Sequence, residues 1–320
     1  MAAYLFGGAM AEYGALLFIA AVAGVYLFAL LAAGRVALRR LRLLGEPTPG
    51  GRQAERLALA LAGLGLACMA YGYFVEPYRL AVTRVRVASP KLAPGSRPLR
   101  LVHISDLHSD PRPRLEEKLP AAVAAERPDL IVYTGDSINS PEGLPVFRAC
   151  LARLAQVAPT FVVKGNWDAW FWPGLDRFGG TGARELKNEA VRFEAGGQTV
   201  WIAGLPVMGE GRFEETFAGV PEGAFTIFLY HYPDLIKEAA ARKIDLYCAG
   251  HTHGGQVALP VYGALVTFSK FGKKYEAGLY REGATSLYVN RGIGMEGGHA
   301  PRVRFWARPE VTVIEIAPEK

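Results

Sequence analysis

The chain has 320 residues, of which 51% are hydrophobic, and its formal net charge is +6 at pH 7. The stretch from Arg35 to Arg56 supplies four of these six charges, so the rest of the chain lacks the positive excess typical of nucleic-acid binding proteins. The three cysteines stand apart with no paired spacing, which argues against a disulfide framework and a thiolate metal site.

Two uncharged apolar runs lie near the N-terminus, at residues 13–33 and 57–75. Each is long enough for a helix to cross the hydrocarbon layer of a bilayer. A signal peptide explains the first run poorly, because residues 1–12 contain no Lys or Arg. A buried core helix is the alternative for the second run. We predict two transmembrane helices within an anchor over residues 1–78, followed by one domain at 79–320.

The charge between the two runs predicts their orientation. An arginine-rich loop at residues 35–56 carries six arginines, and short loops rich in Lys and Arg stay in the cytoplasm. Basic residues also follow the second run, but several of them belong to an alternating apolar and polar pattern at 80–87 that predicts a strand. The domain would then lie outside the cytoplasm.

After a loop rich in Pro, Gly and Ser at 89–98, short apolar strands alternate with helical stretches. The first strands and helices are predicted at 99–105, 114–126, 129–134, 144–157 and 160–164. A hairpin follows, with strands at 186–193 and 198–203. A strand–helix–strand unit comes next, at 225–230, 233–242 and 244–249. Three final strands lie at 274–280, 286–290 and 310–316. This order predicts an α/β fold with two sheets packed face to face and helices outside.

Five of the predicted strands end in side chains that can bind metal ions. These residues are Asp106, His108, Asp136, Asn166, His231, His251 and His253. The carboxyl ends of strands in open α/β sheets gather active sites, so we expect the seven side chains to converge. Glycines before Asp136, Asn166 and His251 would relieve crowding where the chain turns beside an ion. Carboxylate, amide and imidazole ligands together suit Mn, Fe or Zn better than Ca or Mg.

Each of these motifs is weak by itself. A single DxH or GD pattern is usually structural, and we expect structural roles for His103, within a strand, and for His299, in a glycine-rich segment. Four of the six histidines, however, fall in motifs at strand ends in a fixed order. Coincidence across five such sites is a poor explanation.

The ordered motifs DxH, GD, GN, His and GHxH resemble those of the calcineurin-like metallophosphoesterases. The segments GHTHGGQ (Gly250–Gln256) and YVNRGIG (Tyr288–Gly294) are similar to its membrane-anchored bacterial branch. The resemblance implies a four-layer α/β/β/α sandwich in the bacterial inner membrane, with two divalent metal ions. It also implies hydrolysis of phosphoester bonds by a hydroxide that bridges the two ions.

The resemblance further implies a division of the ligands. One ion would bind Asp106, His108, Asp136 and His253, and the other would bind Asp136, Asn166, His231 and His251. Asp136 would therefore bridge the two ions. We group Asp136, Asn166, Asp168 and His251 as candidate catalytic residues.

One position departs from the family pattern, whose GNHD sequence is Gly165-Asn166-Trp167-Asp168 here. The resemblance implies that the histidine would protonate the leaving oxygen, but an indole has no transferable proton near neutral pH. Asp168 would then either supply a proton or only orient the loop. The change favours a pyrophosphate or activated ester over an alkyl phosphate. The UDP-2,3-diacylglucosamine diphosphatases of lipid A synthesis, another family branch, also lack this histidine.

Two further groups of residues could contact substrate. The aromatic residues Trp170, Phe171 and Trp172 could form an apolar wall or enter lipid, although core packing is the simpler interpretation. The basic residues Lys270, Lys273, Lys274, Arg302 and Arg304 could bind phosphate or form an ordinary solvated surface.

The sequence therefore predicts a membrane-anchored hydrolase acting on a phosphodiester or pyrophosphate bond. Its partners would be the membrane and a phosphorylated, lipid-linked substrate. A lipid A diphosphatase with a cytoplasmic substrate and a non-catalytic metal-binding scaffold are the two alternatives.

Overall fold

The computed structural model describes residues 9–297 and 302–319, and His299 lies outside them. The chain begins with two long helices, α1 (Ala9–Arg40) and α2 (Pro49–Phe74). The segments Tyr13–Arg40 and Pro49–Tyr78 are long and apolar enough to cross a membrane. The two apolar N-terminal helices are thus confirmed.

Most of the predicted arginine-rich loop is helical. Arg39 lies in the last turn of α1, and its guanidinium pairs with Glu55 in α2. The helices continue past the uncharged runs because arginine is a good helix former whose aliphatic stem can cover apolar surface. Proline at the first position of α2 and the Thr48 side chain, which accepts a hydrogen bond from the Gly51 amide, fix the start of the second helix.

The first six-stranded sheet has the order β1-β14-β2-β3-β4-β5. Its strands are β1 (Ala81–Ser89), β2 (Leu99–Ile104), β3 (Leu130–Tyr133), β4 (Thr160–Val162), β5 (Arg184–Glu185) and β14 (Glu310–Pro318). Strands β2, β3, β4 and β5 are mutually parallel, and β14 is antiparallel to β2. The connections carry α3 (Leu119–Ala125), α4 (Leu144–Val157) and the short α5 (Asn166–Trp170).

The second six-stranded sheet has the order β12-β13-β9-β8-β7-β6. Its strands are β6 (Glu189–Ala195), β7 (Gln198–Gly204), β8 (Thr226–Leu229), β9 (Leu246–Ala249), β12 (Gly278–Glu282) and β13 (Thr285–Val289). Strands β7, β8, β9 and β13 are parallel. Two helices, α6 (Phe213–Thr216) and α7 (Ile236–Ala241), and a small hairpin of β10 (Ala258–Leu259) and β11 (Gly263–Ala264) complete the fold.

Three apolar cores hold the two sheets and their helices together. The central core lies between the sheets, where Leu101 and Val132 of the first sheet share a cluster with Ile227 of the second. A second core joins the other face of the first sheet to α3 and α4, and a third joins the second sheet to α6 and α7. The mixed α/β fold is confirmed, and these cores support the four-layer arrangement.

Two of the predicted elements that differ in the structure have a clear local cause. The helix expected at 114–126 is shorter, because the Glu116 carboxylate accepts the backbone N–H groups of Arg114 and Leu115 in a preceding turn, and Pro120 belongs in a first helical turn. The strand expected at 274–280 begins later, because a 3-10 turn ends at Tyr275 and β12 starts only at Gly278, which adopts a φ of +98°.

Candidate metal centre

The predicted ligands lie at the carboxyl ends of strands from both sheets. Asp106 and His108 follow β2, Asp136 follows β3, and Asn166 opens α5 after β4. From the second sheet, His231 follows β8, while His251 and His253 follow β9. The parallel order of β2, β3 and β4, and of β8 and β9, brings these ends to the same edge of each sheet.

The side chains form two adjoining groups, each able to hold a metal ion. In each group one ligand atom per residue lies within 4.8 Å of the others, and the groups are Asp106, His108 and His253, and Asp136, His231 and His251. The groups are in contact, since His108 Nε2 lies 3.6 Å from Asp136 Oδ2 and His231 Nε2 lies 3.8 Å from Asp106 Oδ1. Asp136 therefore lies between the groups, where a bridging ligand is expected.

Buried polar atoms test whether these residues fit a metal centre. The side-chain Oδ1 of Asn166 and Nε2 of His108 are buried and have no hydrogen-bond partner among the described residues. Buried polar atoms in folded proteins are almost always paired, so these two lone pairs fit ligands of a cation. Nitrogen and oxygen donors together match first-row divalent metals.

The charges of the site point to the same conclusion. Burial lowers the pKa of His108 to about 4 and that of His251 to about 3, so both imidazoles are neutral and can donate a lone pair. Burial also lowers the pKa of His231, but the carboxylate of Asp136 overcomes this effect and raises it to about 9. The two buried aspartates thus favour positive charge at this position, which a bound cation would supply.

The backbone at the site is strained. Five of the seven predicted ligands have a left-handed φ, which is uncommon outside glycine, and they are Asp106 (+50°), His108 (+40°), Asp136 (+61°), His251 (+71°) and His253 (+52°). Each such residue costs about 1–3 kcal/mol and persists only where surrounding contacts enforce it. The predicted close approach also holds at Gly165 and Gly250, where an added Cβ would collide with the Asp136 and Asp106 side chains respectively.

A shell of hydrogen bonds orients the imidazoles. His108 Nδ1 donates to Asn139 Oδ1 at 3.0 Å, and His231 Nδ1 donates to the Thr134 carbonyl at 2.6 Å. Each bond leaves Nε2 of the ring facing the other ligands. Sequence reasoning missed Asn139, because its partner His108 lies 31 positions away and no local motif links them.

Asp168 organises the loop that carries Asn166. Its carboxylate accepts the backbone N–H groups of Asp136, Ser137 and Gly165 at 2.9–3.1 Å and pairs with the buried Arg177 at 3.0 Å. Both carboxylate oxygens are thus occupied by donors. Of its two predicted roles, these contacts support orientation of the loop.

Trp167 covers the site beside His108. Its backbone N–H donates to Asp136 Oδ1 at 2.8 Å, and its ring meets His108 edge to face, with centroids 5.2 Å apart. Its side chain also donates a hydrogen bond to Glu296, and burial together with the charge of Asp136 raises the pKa of that carboxyl. Sequence reasoning missed Glu296 because this contact joins segments far apart in the chain.

Core packing holds for only one residue of the aromatic run, since Trp172 packs against the second core. Trp170 is 49% exposed and Phe171 is 42% exposed. Phe171 and Trp172 line a cavity of about 480 Å³ beside the metal ligands. The other residues lining the cavity are Asp110, Pro111, Asn139, Ser140, Trp167, Gly297 and Arg302. The cavity is thus aromatic on one side and polar on the other.

The basic residues do not form a common phosphate-binding surface. Arg304 is fully buried and donates to the carbonyls of Gly294, Ala307 and Arg291 at 2.8–2.9 Å. Its guanidinium lies 3.4 Å from His253 Nδ1, so Arg304 supports the metal centre from behind. The remaining residues are on the surface, where Lys273 pairs with Glu276, Lys274 with Glu282 and Arg302 with Asp110. His103, as expected, is structural and bonds Thr134.

Comparisons with known proteins agree with this geometry. Residues 99–255 match the family described as calcineurin-like phosphoesterase. The uncharacterized metallophosphoesterase YkuE of Bacillus subtilis is 32% identical over 269 residues, which cover 80% of this chain and 92% of YkuE. Phosphodiesterase YaeI of Escherichia coli is 28% identical over a stretch that covers 77% of this chain and 92% of YaeI. UDP-2,3-diacylglucosamine pyrophosphatase LpxG of Chlamydia trachomatis is 27% identical over a stretch that covers 75% of this chain and 90% of LpxG.

Proposed function

The chain belongs to the calcineurin-like metallophosphoesterase family, hydrolases of phosphoester bonds, and we propose that it is a membrane-anchored member with two divalent metal ions. Its proposed reaction is hydrolysis of a phosphodiester or pyrophosphate bond in a lipid-linked substrate at the membrane surface. The observation that carries the proposal is the pair of adjoining ligand groups with Asp136 between them.

The proposal assigns one ion to Asp106, His108, Asp136 and His253, and the other to Asp136, Asn166, His231 and His251. When bound, the two ions would lower the pKa of a water nucleophile and neutralise charge on the phosphoryl oxygens. The protein holds the ligand geometry through strained backbone and the bonds from Asn139, Thr134 and Asp168. Rigid support of this kind keeps a site at the productive geometry.

The cavity beside Trp167 supports a substrate with an apolar part. Its aromatic wall is suited to acyl chains, while the polar part of its lining holds the ion pair of Arg302 and Asp110. Glu296 has a raised pKa and lies against Trp167, so it is a candidate proton donor where the family histidine is replaced.

The anchor is proposed to comprise residues 1–78 with two spans, and the catalytic domain residues 79–320. Both helices described above are long and apolar enough to span a bilayer. The six arginines between the spans favour a location of the catalytic domain outside the cytoplasm of a bacterial inner membrane.

Cleavage of UDP-2,3-diacylglucosamine is a second candidate function. The relative LpxG carries this activity in its name, and a pyrophosphate releases a good leaving group without a histidine at position 167. That substrate is cytoplasmic, which conflicts with the proposed orientation. A non-catalytic scaffold fits less well, because all seven ligand positions carry metal-binding residue types and the buried Asn166 Oδ1 has no hydrogen-bond partner among the described residues.

The test is metal analysis and a hydrolysis screen of the purified full-length protein in detergent micelles. The protein is stripped of metal and reloaded with Mn²⁺, and we expect about two equivalents bound, as in two-metal hydrolases. Three substrates then distinguish the possible activities. Hydrolysis of bis-p-nitrophenyl phosphate indicates a diesterase, of p-nitrophenyl phosphate a monoesterase, and of UDP-2,3-diacylglucosamine a pyrophosphatase. Binding of no metal would overturn the proposal in favour of the scaffold.

A further inference from the structure

The C-terminal end of α2 is fastened to the loop at 304–308. The Arg304 backbone N–H donates to the Gly72 carbonyl at 2.9 Å, and the Ala307 N–H donates to the Glu76 carboxylate at 2.6 Å. The rings of Tyr71 and Phe305 meet edge to face, with centroids 6.2 Å apart. The second proposed span therefore leaves the membrane directly against this loop.

The first proposed span begins beside another loop of the same face. An added Cβ at Gly14, one residue into the Tyr13–Arg40 segment, would collide with the Tyr262 hydroxyl. Tyr262 belongs to the turn between β10 and β11. The start of one span and the end of the other thus fix two loops of the catalytic part at the same membrane surface.

Both loops adjoin the metal centre. Phe305 exchanges backbone hydrogen bonds with residues 256 and 258, just after the GHTH segment. The guanidinium of Arg304 reaches His253, as described above. His251 Nε2 lies 3.3 Å from the Phe268 carbonyl, so residue 268 also lies at the site.

Three large apolar side chains, two in these loops and a third, Phe268, shortly after β11, are exposed to solvent on strained backbone. Val261 is fully exposed with a φ of +68°, Trp306 is 62% exposed with a φ of +58°, and Phe268 is 56% exposed with a φ of +54°. A left-handed conformation at a β-branched or bulky residue is a rare outlier, and Asn, Asp or Gly would adopt it more readily. Strain of this kind recurs at functional sites.

We propose that Val261, Phe268 and Trp306 form an insertion rim. This rim enters the phospholipid leaflet that contains the start of the first span and the end of the second. The proposal rests on the proposed membrane anchor and goes further, because the edge of the metal centre would then lie against the bilayer. A phospholipid leaflet is the occupant that the contacts favour, because the rim is continuous with Gly14 and Gly72 of the two spans. Tyr262, with Lys273 Nζ 4.1 Å from its ring centroid, has the aromatic and basic composition of an interface.

The inference identifies the form of substrate that the enzyme can reach. A phosphoester in the headgroup layer would meet the ligands without leaving the membrane, whereas a soluble phosphoester would have to enter along the membrane surface. The exposed Phe171, whose ring packs at a tilt against Trp167 with centroids 4.8 Å apart, extends apolar surface to the other side of the site.

The test places an environment-sensitive fluorophore on the rim of the full-length protein. Val261→Cys and Trp306→Cys are labelled with an NBD thiol reagent, in a Cys68→Ala background, and reconstituted in vesicles of phosphatidylcholine and phosphatidylglycerol. Cys150 and Cys248 are buried, and burial raises the pKa of the Cys150 thiol to about 12, so neither should react. Thr199→Cys is the matched control, because Thr199 is exposed at the opposite end of the second sheet.

We expect the two rim probes to show a blue shift and loss of emission with lipids brominated on the acyl chains, while the Thr199→Cys probe is unchanged. Insertion of an apolar face typically reaches ~5–10 Å into the boundary of headgroups and acyl chains. Rim probes with the spectrum of the control would overturn the proposal. A blue shift without quenching by brominated lipid would also overturn it, since a second copy or a protein partner would then cover the rim.

Two further measurements separate this inference from the proposed function. Extraction of the vesicles with alkaline carbonate releases protein that is not anchored, and release would refute both the anchor and the rim. Hydrolysis of bis-p-nitrophenyl phosphate by the unlabelled protein tests the enzyme alone. An active, anchored protein with both rim probes in water would leave the proposed function intact and refute the rim.

Discussion

Trp167→His should increase hydrolysis of esters that have poor leaving groups. In the structure the Trp167 side chain lies edge-on to His108 and donates a hydrogen bond to Glu296. An imidazole could keep this hydrogen bond and, unlike the indole, could transfer a proton. General acid catalysis typically contributes ~10²–10⁴-fold. We expect the lower end, up to ~10²-fold, because the smaller ring loses its packing and is held less firmly.

The same change should lower stability. Trp167 makes ring contacts with His108 and Phe171, at centroid distances of 5.2 and 4.8 Å. Aromatic pairs contribute about 0.5–1.5 kcal/mol each, so loss of both contacts should lower the free energy of unfolding by about 1–3 kcal/mol. Trp167→Phe is the matched control, because it keeps an aromatic ring but has neither a proton to transfer nor a hydrogen bond to Glu296.

The assay is a series of phosphodiesters from aryl to alkyl, measured on the three proteins at equal metal loading. The slope of log kcat/KM against leaving-group pKa should be shallower for Trp167→His than for the wild type and Trp167→Phe. A slope that histidine leaves unchanged would refute the reasoning. It would show that the imidazole adds no proton transfer beyond what the wild type already has.

Four further predictions address other parts of the site and the anchor. Asp136→Asn should abolish hydrolysis, because the residue lies between the two ligand groups; near wild-type turnover with a native circular dichroism spectrum would refute the two-metal assignment. Arg177→Met should lower the free energy of unfolding by about 3–5 kcal/mol in urea titrations, because it leaves the buried Asp168 unpaired, whereas the exposed control Arg184→Met should change it little. Glu296→Gln should slow only the poor leaving groups. Because burial raises the pKa of Glu296, its carboxyl keeps a proton to higher pH than usual. Wild-type rates on these esters should therefore fall as pH rises through that pKa. An identical pH profile in Glu296→Gln would exclude Glu296 as the proton donor. An alkaline phosphatase fused at the C-terminus should be active and a green fluorescent protein dark; the reverse pattern would place the domain in the cytoplasm and favour the UDP-2,3-diacylglucosamine reaction.

The positions of the predicted ligands could be read from the sequence because they depend on local order. A ligand that follows a buried strand by one or two residues must lie at the end of that strand, and parallel strands share an edge. Asp106 and His108 follow β2 in this way, and His251 and His253 follow β9. The two long helices are equally local, because the length of an uncharged apolar run alone makes a span possible.

The roles of the surrounding residues depended on contacts between distant segments. From sequence alone Asp168 could either supply a proton or orient the loop, and only its contacts with Asp136, Ser137 and Arg177 favour orientation of the loop. Arg304 had the composition of a surface charge, yet it is buried behind His253.

The sequence by itself determined the order in which the strands carry the ligands, and it determined the two apolar helices. Both features follow from residue type and spacing along the chain. Only the tertiary structure decided how Trp167 meets Glu296, how α2 meets the loop at 304–308, and that Val261 stands exposed at a left-handed φ. These features depend on packing between elements, and side-chain burial and backbone strain at a loop are set by neighbours that residue order does not specify.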